Sequence, residues 1–185
     1  LDATTIAGDR EALRVMSCVI FCILFGVIGF IDDFAKVAKK QNEGLKPMQK
    51  IVLQVVAAVL WLAAMYWFGD RSTVIDLSFV KFDISFFYYP LMILVILYLT
   101  NAVNLTDGVD GLCGTVTLVA MLIFTLICSK LQMETYTLFT MALAGGCLGF
   151  LVWNLHPAKC FMGDTGSMYL GAAVTLPLIH ISEPT

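Results

Sequence analysis

Residues 15–36 read VMSCVIFCILFGVIGFIDDFAK, an uncharged apolar run that ends in two adjacent aspartates followed by a lysine. A helix needs about 20 such residues to cross the hydrocarbon core of a bilayer. The whole chain follows this pattern, since 59% of its 185 residues are hydrophobic and 14% are charged. With a mean hydropathy of +0.88, so short a chain cannot hide its apolar surface in a water-soluble core. The sequence therefore predicts an integral membrane protein and excludes a soluble α/β enzyme or a secreted disulfide scaffold.

Six apolar stretches of this kind occur along the chain. They show no alternation of period two, and only helices satisfy their own backbone groups in lipid without closing a barrel. We therefore predict an all-α, polytopic bundle of about six transmembrane helices in one membrane domain, residues 1–177. The predicted helices are Val15–Ile31, Ile51–Phe68, Phe86–Thr100, Leu112–Cys128, Tyr136–Val152 and Met168–Ile181.

The charge balance and the cysteines exclude further classes of protein. A net charge of −3 offers no basic surface to a nucleic acid, so no nucleic-acid partner is expected. The cysteines form no CxxC pair and no metal-ligand spacing, and we interpret them as small hydrophobic residues within helices. They are Cys18, Cys22, Cys113, Cys128, Cys147 and Cys160.

The loops between the helices predict the orientation of the chain in the bilayer. Asp32–Lys50 contains five lysines, and loops rich in lysine lie on the cytoplasmic side. Counting crossings from this loop places Asn101–Gly111 and Trp153–Ser167 inside as well. The inner loops then hold six basic residues and the outer loops three. The outer loop Gly69–Ser85 mixes apolar and charged residues and is expected to form a hairpin.

Three polar motifs fall in the three inner loops. A carboxylate at the bilayer centre costs about 2.5–3.5 kcal/mol on insertion scales, so these acids are expected at the interface or in a wet cleft. One acidic pair is equally well explained as a solvated helix end, but three clusters on one face predict a functional site. The five aspartates concerned are Asp32, Asp33, Asp107, Asp110 and Asp164.

The second motif has a regular spacing of its own. Its polar residues recur every three positions, so on a helix they would form a stripe along one side. A helix cap needs one such residue rather than four. Glycines one position further along permit the close approach of a backbone or a ligand. The polar residues are Asn101, Asn104, Asp107 and Asp110, and the glycines are Gly108, Gly111 and Gly114.

The third motif, Asn154–Ser167, joins a proline-led loop and an aromatic residue, Phe161, to a glycine-flanked Asp164. Ser167 or Asp164 is expected to cap the helix that follows. The glycines around Asp164 also suit a carboxylate that is presented to a metal or a phosphate. His156 has no second histidine at ligand spacing, so we interpret it as an ordinary loop residue.

Clustered aspartates beside lysines indicate chemistry on a phosphate. Magnesium takes one or two carboxylates and completes its coordination with water and substrate phosphates. Phosphoryl transfer depends on positioning and charge neutralisation, and Mg²⁺ would relieve the repulsion between carboxylates and an anionic diphosphate. Lys36, four residues after Asp32, lies on the same helical face and is a candidate for holding a phosphate oxygen. We therefore predict a phosphate-bearing substrate at the inner membrane surface.

In these motifs the chain resembles the phospho-N-acetylmuramoyl-pentapeptide transferase family of the polyprenyl-phosphate N-acetylhexosamine-1-phosphate transferase superfamily. The resemblance runs through Gly29–Lys36, Asn101–Leu112 and Asn154–Ser167, in that order. It implies a multi-pass enzyme of the bacterial inner membrane with about ten helices, active in peptidoglycan and cell-wall synthesis. It also implies transfer of phospho-N-acetylmuramoyl-pentapeptide from UDP-N-acetylmuramoyl-pentapeptide to undecaprenyl phosphate, with Mg²⁺ and release of UMP.

The resemblance also implies roles for individual residues. Asp164 would bind magnesium, and Asp32 and Asp33 would lie by the lipid phosphate, with Asp32 a candidate base. Lys36 would contact phosphate, and Phe161 would stack on uracil. The residues implied to position the nucleotide sugar are Asn104, Asp107, Asp110 and Asn154.

Several alternatives stay open at this point. A sibling enzyme would transfer N-acetylglucosamine-1-phosphate from UDP-N-acetylglucosamine, but such relatives usually carry an acid where Lys36 stands. A membrane transporter also uses intramembrane acids, although it would place them near mid-helix rather than at helix ends. A structural scaffold leaves the polar stripe unexplained. The sequence decides neither between direct attack and a covalent aspartyl intermediate nor whether the protein forms a homodimer.

The last residues, Leu178–Thr185, are expected to be a non-native tail. An apolar segment that has begun to cross the membrane meets Ser-Glu-Pro-Thr after about 10 residues, where a span needs about 20. A common transposon-end sequencing adapter encodes the same residues, LIHISEPT. We therefore expect an internal fragment of a longer protein and assign no role to His180.

Overall fold

In the computed structural model the chain forms a helical bundle with a short hairpin, and the structure describes residues 3–40, 44–67, 73–76 and 81–181. Between the second and third helices, strands β1 (Val74–Asp76) and β2 (Lys81–Asp83) pair antiparallel, with Ile75 opposite Phe82. A 3₁₀ turn, Ser85–Phe87, follows. The six predicted segments all form helices and the hairpin is confirmed, but within the described residues only five of the six predicted membrane spans qualify as such. The helices are α1 (Ala3–Lys39), α2 (Pro47–Trp67), α3 (Tyr88–Thr106), α4 (Leu112–Lys130), α5 (Glu134–Asn154) and α6 (Gly163–Ile181).

Five segments of the described chain are long and apolar enough to cross a membrane, and they belong to α1–α5. Helix α6 is not among them, and it occupies the centre of the bundle, where it packs on α1, α3 and α4. Met168, Ala172 and Leu176 of α6 are fully buried. Because protein rather than lipid covers this helix, it can carry hydroxyl groups that a lipid-facing helix would expose. The five segments are Val15–Lys39, Pro47–Trp67, Ser85–Thr106, Leu112–Lys130 and Glu134–Asn154.

Two glycines allow α6 to approach its neighbours closely. A Cβ atom on Gly171 of α6 would lie 2.7 Å from the Cα of Thr100 on α3. Gly29 of α1 likewise has no room for a side chain, because a Cβ there would collide with the backbone of Asp164. Small residues of this kind let helix backbones meet at short distance. The contact at Gly29 brings the first turn of α6 to the end of α1 that carries the aspartate pair.

The second polar motif is not one continuous stripe. Helix α3 ends at Thr106, and Gly111 adopts a left-handed conformation with φ of 73° immediately before α4. Asn104 therefore lies on α3, whereas Asp107 and Asp110 lie in the turn that follows. The expected stripe is broken after Asn104, since the turn needs a backbone conformation that glycine adopts readily.

All six cysteines are free; Cys160 is exposed, and the other five are buried as expected. Helix α6 continues to Ile181, with His180 buried, and residues 182–185 lie outside the described part of the chain. The interpretation of Leu178–Thr185 as a non-native tail stays a prediction.

We expect Gly171→Ala to destabilise the bundle by roughly 1–3 kcal/mol, because the added methyl group presses on the α3 backbone. Gly146→Ala is the matched control, since a Cβ there would have no neighbour within 4 Å. Thermal unfolding in detergent micelles should give a lower midpoint for Gly171→Ala alone. Equal midpoints for the two variants would contradict the close contact.

Candidate active site at one end of the bundle

Three carboxylates meet where α1 and α6 cross. Asp32 and Asp33 lie near the end of α1 and Asp164 in the first turn of α6, and one oxygen of each lies within 4.8 Å of the others. The Lys36 ammonium group lies among them, 2.8 Å from Asp32, 3.3 Å from Asp33 and 2.6 Å from Asp164. We call these three aspartates the acidic cluster. Their convergence follows from the glycine contact between the two helices.

Asp32 is the most deeply placed member of the acidic cluster. Its side chain is 5% exposed, against 31% for Asp33. The Leu45 backbone N–H donates to Asp32 Oδ1 over 2.7 Å. The neighbouring residue is Gly44, where a Cβ would lie only 2.5 Å from that oxygen. The end of the loop between α1 and α2, just before α2 begins, is therefore folded onto this carboxylate.

Asp33 caps the first turn of α6 from another helix. Its Oδ2 atom accepts the backbone N–H of Thr165 at 3.0 Å and the Thr165 hydroxyl at 2.9 Å. A carboxylate at this position satisfies a free N–H and faces the positive end of the helix dipole. Neither Ser167 nor Asp164, the caps expected from the sequence, caps this helix. Ser167 donates to the Gly163 carbonyl, and Asp164 accepts hydrogen bonds from side chains.

Both oxygens of Asp164 are engaged. Lys36 and Lys50 contact Oδ2 at 2.6 and 3.3 Å, and the Asn104 amide donates to Oδ1 over 2.8 Å. Burial acts to raise the pKa of Asp164, but hydrogen bonds with Asp32, Lys36 and Asn104 and the charge of Lys50 outweigh it. They hold the pKa well below its usual value, so this carboxylate is ionised at neutral pH.

The acidic cluster fits a divalent cation. Carboxylate oxygens are the ligands that hard cations such as magnesium prefer. In this structure the cation that lies among the three carboxylates is the Lys36 ammonium group. The formal charges of the three aspartates and of the two lysines that contact them sum to one net negative charge. Within the described residues no other group of three acidic, histidine or cysteine side chains is close enough to share a metal.

Asp107 lies at the edge of this site. Burial, followed by the negative charges of Asp164 and Asp33, raises the pKa of Asp107 to about 6. Protonation of Asp107 therefore lowers the negative charge of the site, as a bound cation would, and it occurs close to physiological pH.

Asp110 and Asn154 join the second motif to the third. Asp110 Oδ2 accepts the Ala158 N–H at 3.1 Å and lies 3.1 Å from His156 Nδ1, and these two contacts lower the pKa of Asp110. Asn154 is 2% exposed; it accepts the Gly111 N–H at 3.0 Å and donates to a carbonyl of the following loop. His156, interpreted from the sequence as an ordinary loop residue, therefore has a specific partner.

The structure thus sorts the predicted residues into three groups. Asp32, Asp33, Lys36, Asn104 and Asp164 meet in one contact network with Asp107 beside it. Asp110 and Asn154 hold loops together, and the ring of Phe161 is 68% exposed on the third loop.

Sequence reasoning missed two polar residues of α2. Lys50 was counted only as a loop charge, yet it contacts Asp164 and lies 3.4 Å from Asn104. Gln54, fully buried, bonds to Asn101 on α3. The available signal was that Gln54 is the lone polar side chain at the start of an apolar run, one turn after Lys50.

Taken together, the fold and the site define a multi-pass helical membrane protein with lysine-bridged carboxylates at one end of its bundle. Residues 15–182 match the Glycosyl transferase family 4. The chain belongs to that family.

Three similar proteins carry the name phospho-N-acetylmuramoyl-pentapeptide-transferase. The protein from Heliobacterium modesticaldum is 46% identical over 162 residues, which cover 86% of this chain and 50% of that protein. The one from Acetivibrio thermocellus is 41% identical over 176 residues, 92% of this chain and 53% of the relative. The one from Clostridium botulinum strain Alaska E43 is 42% identical over 181 residues, 97% and 55% respectively. The chain thus spans about half the length of these curated relatives.

We expect the carboxyl ¹³C resonance of Asp107 to titrate near pH 6 in an NMR experiment on the protein in micelles. Because the pKa is higher than in the unfolded chain, ionisation of Asp107 destabilises the fold, and this cost appears as the pH rises from about 4 to about 6. Asp164→Asn removes one neighbouring negative charge and should shift the titration to lower pH. Asp110 is the control, since its pKa lies below the ordinary value. A midpoint near 4 for Asp107 in the unsubstituted protein would refute the electrostatic coupling.

Proposed function

We propose that the full-length protein containing this chain transfers phospho-N-acetylmuramoyl-pentapeptide from UDP-N-acetylmuramoyl-pentapeptide to undecaprenyl phosphate. The products are UMP and the first lipid-linked precursor of peptidoglycan. The observation that carries the proposal is the Lys36 ammonium held among Asp32, Asp33 and Asp164, in a chain that is 46% and 41% identical to two transferases of that name. Such a site provides both the anionic ligands for a metal and a cation for a phosphate.

The acidic cluster would hold Mg²⁺, with Asp164 as the principal ligand. When bound there, the ion would neutralise charge on the diphosphate of the nucleotide sugar. The chain's own contribution is to keep Asp164 ionised and oriented through Lys50 and Asn104. Lys36 would exchange its carboxylate contacts for a phosphate oxygen. Its flexible side chain can shift the ammonium group over a short distance while the positive charge remains within the site.

Asp32 and Asp33 would lie beside the lipid phosphate, and Asp32 is the candidate base. Asp33 is bound to Thr165, so its orientation is tied to the first turn of α6. Direct attack by the lipid phosphate and a covalent aspartyl intermediate would use this same pair.

The nucleotide would bind on the side of the site formed by the second and third motifs. The exposed ring of Phe161 offers a flat apolar face on which uracil can stack. Asn104 and Asp107 would contact the nucleotide sugar. Asp110 and Asn154 would act on the nucleotide sugar indirectly by holding the loop that carries Phe161, since both are bonded to backbone groups of that loop.

We place the acidic cluster on the cytoplasmic face of a bacterial inner membrane. The support is the concentration of lysines in the loops at this end of the bundle. UDP-linked sugars are polar and would reach the site from the cytoplasm, while the lipid phosphate would arrive within the bilayer. A homodimer stays a prediction, which the mass of the detergent-solubilised protein can test.

The proposal predicts Mg²⁺-dependent release of UMP when membranes containing the full-length protein are given UDP-N-acetylmuramoyl-pentapeptide and undecaprenyl phosphate. The measurement is UMP formation with and without a chelator. The control substrate is UDP-N-acetylglucosamine, which should give no turnover. Turnover with that sugar alone would assign the protein to the sibling branch, and turnover with neither would contradict the proposed function.

Asp164→Asn should abolish UMP release while the protein still folds, because the amide cannot supply an anionic ligand. The matched control is Glu134→Gln, the same loss of charge at an exposed position in the first turn of α5, which should leave turnover unchanged. Thermal unfolding of both variants checks that each is intact. Near-normal turnover in Asp164→Asn would remove this residue from the metal site.

A further inference from the structure

Gln54 is a fully buried polar side chain on the bundle-facing side of α2. It forms two hydrogen bonds with one residue of α3: Gln54 Nε2 donates to Asn101 Oδ1 over 3.3 Å, and Asn101 Nδ2 donates to Gln54 Oε1 over 2.8 Å. The Asn101 amide also donates to the Leu97 carbonyl at 2.8 Å. The two amides therefore form a closed pair between the helices.

This amide pair lies one helical turn from Lys50 and Asn104, the two side chains that contact Asp164. Lys50 precedes Gln54 by four residues and Asn104 follows Asn101 by three, so each lies on the same face of its helix as the amide. Lys50 Nζ and Asn104 Oδ1 are 3.4 Å apart and form a second contact between the helices. Both side chains then reach Asp164, at 3.3 and 2.8 Å. The two contacts make a polar ladder that ends on the proposed metal ligand.

The amide pair restricts how α2 can sit on α3. Buried amides that lose their hydrogen-bond partners pay the full cost of desolvation, and the low dielectric of the interior makes that cost high. A shift of α2 by one turn would leave the donors and acceptors of both amides unpaired. Apolar side chains alone discriminate less between such positions, whereas a buried polar pair is well suited to specify register.

We propose that Gln54 is a positioning residue: paired with Asn101, it sets the register of α2 on α3 that places Lys50 and Asn104 against Asp164. The kinetic part of this inference rests on the proposed transfer reaction. The metal-binding part does not, because it concerns only the orientation of Asp164.

The test uses the full-length protein and measures the Kd for Mn²⁺ by electron paramagnetic resonance, together with kcat and KM for UMP release. Gln54→Leu should weaken Mn²⁺ binding about 10-fold and lower kcat by a similar factor, the usual range for a residue that orients a ligand. KM for the nucleotide sugar should change less than kcat, since Phe161 and its loop are untouched and Asn104 is only one of the proposed contacts to the sugar. Thr140→Val is the control, because Thr140 is fully buried and bonded to Thr125 between α4 and α5, and it should change neither quantity.

A second pair of variants covers the case in which Gln54→Leu does not fold. Gln54→Asn should weaken Mn²⁺ binding because the shortened side chain cannot reach Asn101. Adding Asn101→Gln keeps the combined length of the two amides and should restore the affinity. A Gln54→Leu protein of lower thermal midpoint but unchanged Mn²⁺ affinity would overturn the inference, and so would a double variant no better than Gln54→Asn. Absence of UMP release from the unsubstituted protein would instead count against the proposed reaction, while the Mn²⁺ comparison would still decide the role of Gln54.

Discussion

The backbones of α1 and α6 touch at Gly29, where no side chain fits, and this contact places Asp164 against Asp32 and Asp33. Three carboxylates so close together repel one another, and partial burial strengthens the repulsion because the local dielectric is low. The site therefore requires positive charge, which Lys36 supplies from the same helix turn as the aspartates and Lys50 supplies from α2. The same requirement suits the site to a divalent cation and to the phosphates that accompany it.

The rest of the bundle supports this crossing. Helix α6 is enclosed by its neighbours, and Gly171 lets α3 approach it closely enough for Asn104 to reach Asp164. Asp33 completes the arrangement by capping α6, so one side chain both belongs to the acidic cluster and stabilises the helix that carries Asp164. Loss of any of these contacts would therefore alter the geometry of the carboxylates as well as the packing of the helices.

Much of this architecture could be predicted from the sequence, because the apolar stretches and the lysine-rich loop follow from the cost of polar groups in lipid. The location of Asp32, Asp33 and Asp164 on one side was predictable by counting crossings. The break in the stripe after Asn104 was not, because the turn at Gly111 depends on a left-handed backbone conformation. The capping of α6 by Asp33 and the partnership of Asp110 with His156 join residues far apart in the chain, and local spacing contains no information about such pairs.

The sequence by itself determined the class of protein, the helices and the three polar motifs, since each depends on composition and spacing along a single segment. Only the tertiary structure decided which polar residues share a site and which hold loops together. Lys50 and Gln54 show the difference most clearly. Each is a polar residue near the start of an apolar helix, and nothing in its local sequence identifies its partner. That partner lies on another helix, at a distance fixed by the crossing of the helices and their register. Those two quantities arise from the packing of six helices at once, so no single stretch of sequence specifies them.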